Sequence, residues 1–122
     1  MGFITFKHNM MNANDHFSEY NCSEQLFKHF LGITFTEGAK AMADKFQCYW
    51  FLDIIASYQP ELNNEDFQVW TLLKHEDLSC TITYDDGNGK KLKEQKVPFT
   101  DFLPTKATLW CIYSTILLPS EY

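Results

Sequence analysis

The sequence contains no arginine. All ten basic residues are lysines, and 16 acidic residues give a formal net charge of −6. Arginine supplies the forked guanidinium that reads guanine and clamps phosphate groups. An acidic chain without arginine is a poor candidate for reading a nucleic-acid sequence directly. We therefore expect no sequence-specific DNA binding.

Long apolar runs are also absent. The longest candidate, Cys48 to Ala56, is interrupted by Asp53, and it falls short of the roughly 18 residues that span a bilayer. Residues 1–11 contain one lysine and no extended apolar stretch, which is not the pattern of a signal peptide. We expect a cytoplasmic protein that does not enter a membrane.

No catalytic or metal-binding motif occurs. The chain has no GxSxG, GxGxxG, Walker loop or HExxH, and its four histidines have no metal-ligand spacing. The four cysteines, at 22, 48, 80 and 111, form no CxxC pair, so we interpret them as reduced thiols that act as small hydrophobes. The run from Asp85 to Gly89 lacks the distal glutamate of a calcium loop. We expect no metal, no cofactor and no enzyme.

The chain contains enough hydrophobic and aromatic residues to form one compact core. Of 122 residues, 45% are hydrophobic and 16% aromatic, which is too apolar for a disordered chain. Residues 1–20 have a mixed composition and predict a loosely ordered arm, with a short strand at Phe3–Phe6. Residues 21–122 predict a single domain. Its length is typical of one folding unit.

Helical patterns come first and strand patterns follow. Asn21 and Thr36 are candidate helix caps, which predicts helices over 22–31 and 36–58, the second with a break near 45–47. Strands are predicted at 69–75, 79–84, 90–97 and 107–118, with a tight turn at Asp86–Gly89. This order predicts an α+β fold with N-terminal helices on one face of an antiparallel meander of about four strands.

Several short sequence motifs resemble those of one family. They are FTEGAK at 35–40, YWFLDIIASYQ at 49–59, FTDF at 99–102 and LPSEY at 118–122. The chain from about Cys22 onward resembles an uncharacterised family of small proteins from bacteria, phages and plasmids, known as a domain of unknown function. The resemblance implies a mobile-element origin and a shared fold, but no activity and no catalytic residues. Such proteins are often suspected of interfering with host functions.

Charge is unevenly distributed in the second half. Residues 60–86 contain seven acids against one lysine, and residues 87–106 contain five lysines against two acids. The acidic candidates for a binding cluster are Glu61, Glu65, Asp66, Glu76, Asp77, Asp85 and Asp86. Clustered carboxylates can mimic phosphate and occupy a basic groove on a partner. The same pattern is also typical of a solvated surface.

The basic candidates lie on one predicted strand: Lys90, Lys91, Lys93 and Lys96. These lysines can contact an RNA backbone without reading bases. They can also protect a sheet edge against aggregation.

Three other carboxylates stand out. Asp53 lies within the most apolar helical stretch, where a carboxylate needs a hydrogen-bonding partner. It is interpreted either as a structural acceptor or as a general base with a raised pKa. Glu37 and Asp101 are interpreted as a helix-capping and a turn residue.

We expect a small acidic binding protein that inhibits or sequesters a protein or ribonucleoprotein. Its most concrete form is a phage or mobile-element inhibitor of bacterial defence, an anti-CRISPR protein acting on an RNA-guided nuclease or its guide RNA complex. One alternative is a small-ligand or nucleotide sensor with a pocket between the aromatic helix and the sheet. Another is a hydrolase that uses Asp53 and a histidine. The oligomeric state stays open.

Overall fold

The computed structural model describes residues 12–17, 25–29, 31–62, 64–88, 91–98, 100–102 and 104–122. Its two α-helices are α1 (Glu37–Phe46) and α2 (Tyr49–Tyr58). Its strands are β1 (Leu26–Lys28), β2 (Thr34–Thr36), β3 (Phe67–Lys74), β4 (Cys80–Asp85), β5 (Lys91–Val97), β6 (Lys106–Ile112) and β7 (Thr115–Leu117). Short 3-10 helices cover Ala13–Phe17, Gln59–Leu62 and Pro119–Glu121.

The strands form one mixed sheet in the order β1-β2-β7-β6-β3-β4-β5. All neighbouring pairs are antiparallel except β2 and β7, which are parallel. The predicted four-strand antiparallel meander is therefore wrong, although the broader α+β description fits. Among the described residues the sheet has seven strands, and the parallel pair joins the β1–β2 hairpin to the five antiparallel strands.

Two local features account for the error. Leu26–Lys28 was predicted as part of a helix, but it is β1, which turns into β2 through Gly32 at φ 95°. The predicted long strand at 107–118 is two strands, because Tyr113 and Ser114 adopt positive φ and form a two-residue hairpin turn. Neither turn residue is the glycine or asparagine that usually marks such a turn.

The predicted break in the helical region is confirmed. Thr36 caps α1, and its side chain accepts a hydrogen bond from the Ala39 N–H at 3.2 Å. The helix ends at Gln47, which adopts the left-handed conformation at φ 55°. Then α2 begins at Tyr49 and continues into the 3-10 turn that contains Pro60. The two helices therefore form a bent pair rather than one rod.

The second helix, α2, packs on one face of the sheet. The Phe35 ring contacts Tyr49 at 6.4 Å between centroids, and the Trp70 ring contacts Tyr58 at 5.7 Å. The strand register places these sheet aromatics on one face, together with buried Ile82. Burial of this face between helices and sheet supplies the main stabilising term of the fold.

Part of the predicted arm contributes to the same core. Residues 1–11 and 18–20, including Phe3–Phe6, lie outside the described residues, whereas Ala13 and Phe17 are buried. The Asn14 side chain donates to the Thr108 carbonyl at 2.8 Å and accepts from the Thr108 N–H at 2.7 Å. This amide therefore takes the place of a neighbouring strand along the start of β6.

Candidate functional site

Five of the seven predicted acidic residues lie at one end of the sheet. Glu65 and Asp66 precede β3, and Asp85 and Asp86 end β4, its antiparallel neighbour. Glu61 reaches the same end through an ion pair of 3.1 Å with Lys93, whose cross-strand partner is Tyr84. These five carboxylates come from two separate stretches of sequence, residues 61–66 and residues 85–86. We call Glu61, Glu65, Asp66, Asp85 and Asp86 the acidic end.

Glu76 and Asp77 do not belong to this group. They lie in the turn between β3 and β4, at the opposite end of the two strands. Asp77 accepts hydrogen bonds from the hydroxyl and the N–H of Ser79, which lower the pKa of Asp77. The structure thus gives Asp77 a turn-forming contact and separates it from the other acids.

A buried tyrosine lies beneath the acidic end. Tyr84 is 1% exposed, and its hydroxyl has no hydrogen-bond partner within normal distance among the described residues. Burial, together with the nearby charges of Glu65, Asp86 and Asp85, raises the pKa of Tyr84 to about 12. A neutral tyrosine hydroxyl therefore lies within a concentrated negative potential, which favours a positively charged group at this surface.

An exposed aromatic residue borders the same surface. Tyr113 is 75% exposed and occupies the first position of the turn between β6 and β7, with φ of 48° at Tyr113 and 67° at Ser114. Both residues line a recess of about 320 Å³ together with Glu65 and Asp66. Left-handed backbone at a residue this bulky is uncommon and costs energy. The strained backbone holds an exposed tyrosine, one of the residue types that are enriched as anchors in protein interfaces.

The predicted basic strand is largely neutralised by neighbouring acids. Lys91 pairs with Glu94 at 3.3 Å and Lys93 with Glu61. Lys96 has no ion pair within the described part of the chain. Lys90 lies outside the described residues. The described lysines of β5 thus do not form a continuous row of free cations.

A second concave surface lies between α2 and the outer strand β5. This cleft has a volume of about 580 Å³, and its lining residues are Trp50, Asp53, Ile54, Gln95, Lys96, Val97, Pro98, Thr100 and Asp101. It occupies the position that the small-ligand hypothesis requires, between the aromatic helix and the sheet. It also brings Asp53 together with two candidates from a distant part of the sequence, Lys96 and Asp101.

Asp53 forms a side-chain pair with His29 in this region. The distance from His29 Nε2 to Asp53 Oδ1 is 2.6 Å, with side-chain exposures of 5% and 48%. The other ring nitrogen, Nδ1, accepts a hydrogen bond from the Leu31 N–H at 3.0 Å. With Nδ1 acting as acceptor, Nε2 carries the proton donated to Asp53. Both nitrogens are therefore occupied, which leaves His29 without a free lone pair for abstracting a substrate proton.

Replacing Asp53 with alanine is expected to lower the free energy of unfolding by about 1–3 kcal/mol, because the Nε2–H of buried His29 loses its acceptor. Asp53→Asn retains an acceptor oxygen and is expected to cost less than half of that amount. Urea unfolding followed by tryptophan fluorescence measures both values. Equal losses in the two variants would show that charge, and not the hydrogen bond, stabilises the pair.

Two of the family-like sequence motifs are in contact at the start of α1. Glu37 lies in the first turn, as predicted, but the main capping carboxylate is Glu121. Its Oε1 accepts from the Thr36 hydroxyl at 2.6 Å and from the Leu118 N–H at 2.8 Å. Its Oε2 accepts from the Gly38 N–H at 3.0 Å. The FTEGAK and LPSEY motifs therefore contact each other in the fold. The sequence alone did not predict this contact, because the residues are more than 80 positions apart.

The three cysteines that the structure describes lie in the core. Cys48, Cys80 and Cys111 are buried free thiols, and burial raises the pKa of Cys48 and Cys111 to about 12. Cys22 lies outside the described residues. Among the residues that the structure describes, no group of three histidines, cysteines or carboxylates is placed to hold a metal ion. No described helix is both long and apolar enough to cross a bilayer.

Comparison with known proteins gives one match. A family model described as "Family of unknown function (DUF6876)" matches residues 11–122. The match begins eleven residues before Cys22, the approximate start of the resemblance seen in the sequence, and it includes the Asn14 contact with β6. Neither the curated proteins nor the solved structures yield a match.

Proposed function

We propose that this chain, which belongs to the family of unknown function DUF6876, is a binding protein that docks on a basic surface of another macromolecule through its acidic end. The observation that carries the proposal is the convergence of carboxylates from two separate stretches at one end of the sheet, where Glu65 and Asp66 line a recess together with the exposed Tyr113. An exposed tyrosine is a residue type enriched at the centres of protein interfaces, and carboxylates beside it can supply charge complementarity to a basic partner.

The partner class follows from charge complementarity. A surface that is negative and carries an exposed tyrosine complements a lysine- and arginine-rich groove of the kind that holds nucleic acid. Within the proposal, such a partner is a defence protein of a bacterial host, and an RNA-guided nuclease is the specific candidate. This target rests on the mobile-element resemblance and on the acidity of the chain.

A paired set of charge reversals tests the acidic end. Affinity capture from a lysate of a bacterium with an active RNA-guided defence system is expected to recover a basic nucleic-acid-binding protein with the wild type. Glu65→Lys/Asp86→Lys is expected to reduce that recovery by at least about tenfold, because two carboxylates become repulsive to a basic groove. Recovery with the wild type is also expected to fall as salt concentration rises.

The matched control carries the same charge change at the other end of the sheet. Glu76→Lys/Asp77→Lys alters net charge equally but leaves the acidic end intact, so its recovery is expected to equal that of the wild type. Equal losses in both double variants would mean that net charge alone causes the retention and would contradict a defined docking surface. Unchanged phage plating on the defended host would eliminate the inhibitor version.

A further inference from the structure

The cleft between α2 and β5 lies beside an open edge of the sheet. β5 is the last strand in the sheet order and pairs only with β4 among the described strands. An edge strand presents outward-pointing N–H and C=O groups that can pair with another chain. This edge therefore combines unused main-chain hydrogen bonding with an adjacent concave surface.

The register of β5 shows which groups face the cleft. Gln95 and Val97 pair with Ile82 and Cys80 and lie on the helix face of the sheet. Lys96 pairs with Thr81, so its side chain belongs to the opposite face. Lys96 nevertheless lines the cleft, so the cleft extends to the outer edge of β5.

The lining specifies a chemistry for the occupant. Trp50, Ile54 and Val97 offer an apolar wall, and the indole N–H of Trp50 has no hydrogen-bond partner in the part of the chain that the structure describes. Asp53 and Asp101 place two carboxylates around that wall. A residue with an apolar side chain next to a lysine or arginine fits both properties. The volume lies within the usual range for a binding pocket.

We propose that this cleft binds an extended peptide segment of a partner protein, which adds as a further strand to the edge of β5. An apolar side chain of the peptide enters the cleft beside Ile54, and a neighbouring basic residue approaches Asp53. Peptides bound in this way gain affinity from main-chain hydrogen bonds and specificity from pockets that accept alternate side chains. The site lies near the Val97 end of β5, away from the acidic end, so it is independent of the proposed function above.

Selection of a random peptide library displayed on phage tests the proposal, using the full chain as bait. Enriched peptides are expected to share an apolar residue next to a lysine or arginine. For one such peptide, Ile54→Arg is expected to weaken binding by at least about tenfold. The control Leu73→Arg, which changes a half-exposed leucine of β3, is expected to leave binding unchanged.

Main-chain pairing gives a signature of its own. Single N-methyl groups placed along the peptide are expected to weaken binding at every second residue, because only alternate N–H groups point toward β5. Asp53→Asn retains an acceptor for His29. It is expected to weaken binding of the peptide with the basic residue, and to leave unchanged the binding of a peptide with glutamine at that position. This second variant keeps the test valid if Ile54→Arg does not fold.

Three results from the peptide experiments would overturn the proposal: no enriched peptide, peptide affinity unchanged in both cleft variants, or no effect of N-methylation at any position. A fourth is a nucleotide that raises the melting temperature of the wild type but not of Ile54→Arg, while no peptide binds. The last result would assign the cleft to a small ligand instead. None of them affects the docking role of the acidic end.

Discussion

Replacing Glu121 with alanine is expected to lower the free energy of unfolding by about 3 kcal/mol, the largest stability loss that we predict for a single side chain outside the core. Three donors lose their acceptor in this variant: the Thr36 hydroxyl, the Gly38 N–H and the Leu118 N–H. The carboxylate also lies at the start of α1, where the helix dipole favours negative charge. A loss of this size is a large fraction of the 5–15 kcal/mol that stabilises a typical domain.

Glu37→Ala is the matched control, because it removes a carboxylate from the first turn of the same helix. Glu37 has no hydrogen-bond or ion-pair partner among the described residues, so its replacement is expected to cost no more than about 0.5–1 kcal/mol. Urea unfolding of both variants gives the comparison. Equal costs would mean that the dipole interaction accounts for the effect and that the three hydrogen bonds add nothing.

Gly38 provides an independent check of the same contact. A Cβ at this position would lie 2.5 Å from Glu121 Oε1 and 2.7 Å from Leu118 Cδ1. Gly38→Ala is therefore expected to destabilise the protein, although alanine usually stabilises a helix relative to glycine. The loss of unfolding free energy caused by Gly38→Ala is expected to be smaller in the Glu121→Ala background than in the wild type, because part of the steric conflict has been removed.

The sequence predicted the elements that have strong local signals. Thr36 marks the start of α1, Pro60 follows the end of α2, and the glycines after Asp86 mark a hairpin. β1 was missed because it has only three residues, too few for a two-residue alternation to appear, and β7 was merged with β6 into one predicted strand. The turn at Tyr113 was missed because its residues do not favour positive φ.

The candidate surfaces were predicted only in part. Composition identified the acidic segment, but the β3–β4 hairpin carries Glu76 and Asp77 to one end and leaves Asp66 and Asp85 at the other. The cleft depends on the approach of α2 to β5, and the Asp53–His29 pair on the approach of α2 to the end of β1. These contacts are set by tertiary packing, so residue patterns along the chain do not reveal them.

Converting the turn at Tyr113 and Ser114 into the preferred Asn-Gly pair is expected to stabilise the protein and impair its binding. Tyr113→Asn/Ser114→Gly relieves two residues held at positive φ, which is expected to raise the free energy of unfolding by about 1–2 kcal/mol. The same change removes the exposed aromatic ring from the acidic end. If that ring is an interface anchor, its loss costs about 2 kcal/mol of binding energy, or roughly thirtyfold in affinity.

Leu78→Asn is the matched control for this trade-off. Leu78 also has positive φ, at 69°, and is 47% exposed, but it lies in the turn with Glu76 and Asp77. Its replacement is expected to relieve backbone strain to a similar degree. Because it lies away from the acidic end, binding is expected to stay unchanged.

The most direct measurement is the dissociation constant of the captured partner for the wild type, Tyr113→Asn/Ser114→Gly and Leu78→Asn at one salt concentration, with urea unfolding of the same samples. We predict that both variants are more stable than the wild type and that only the turn variant at Tyr113 binds more weakly, by roughly thirtyfold. A more stable Tyr113→Asn/Ser114→Gly protein that binds the partner as tightly as the wild type would contradict the assignment of the acidic end as the docking surface.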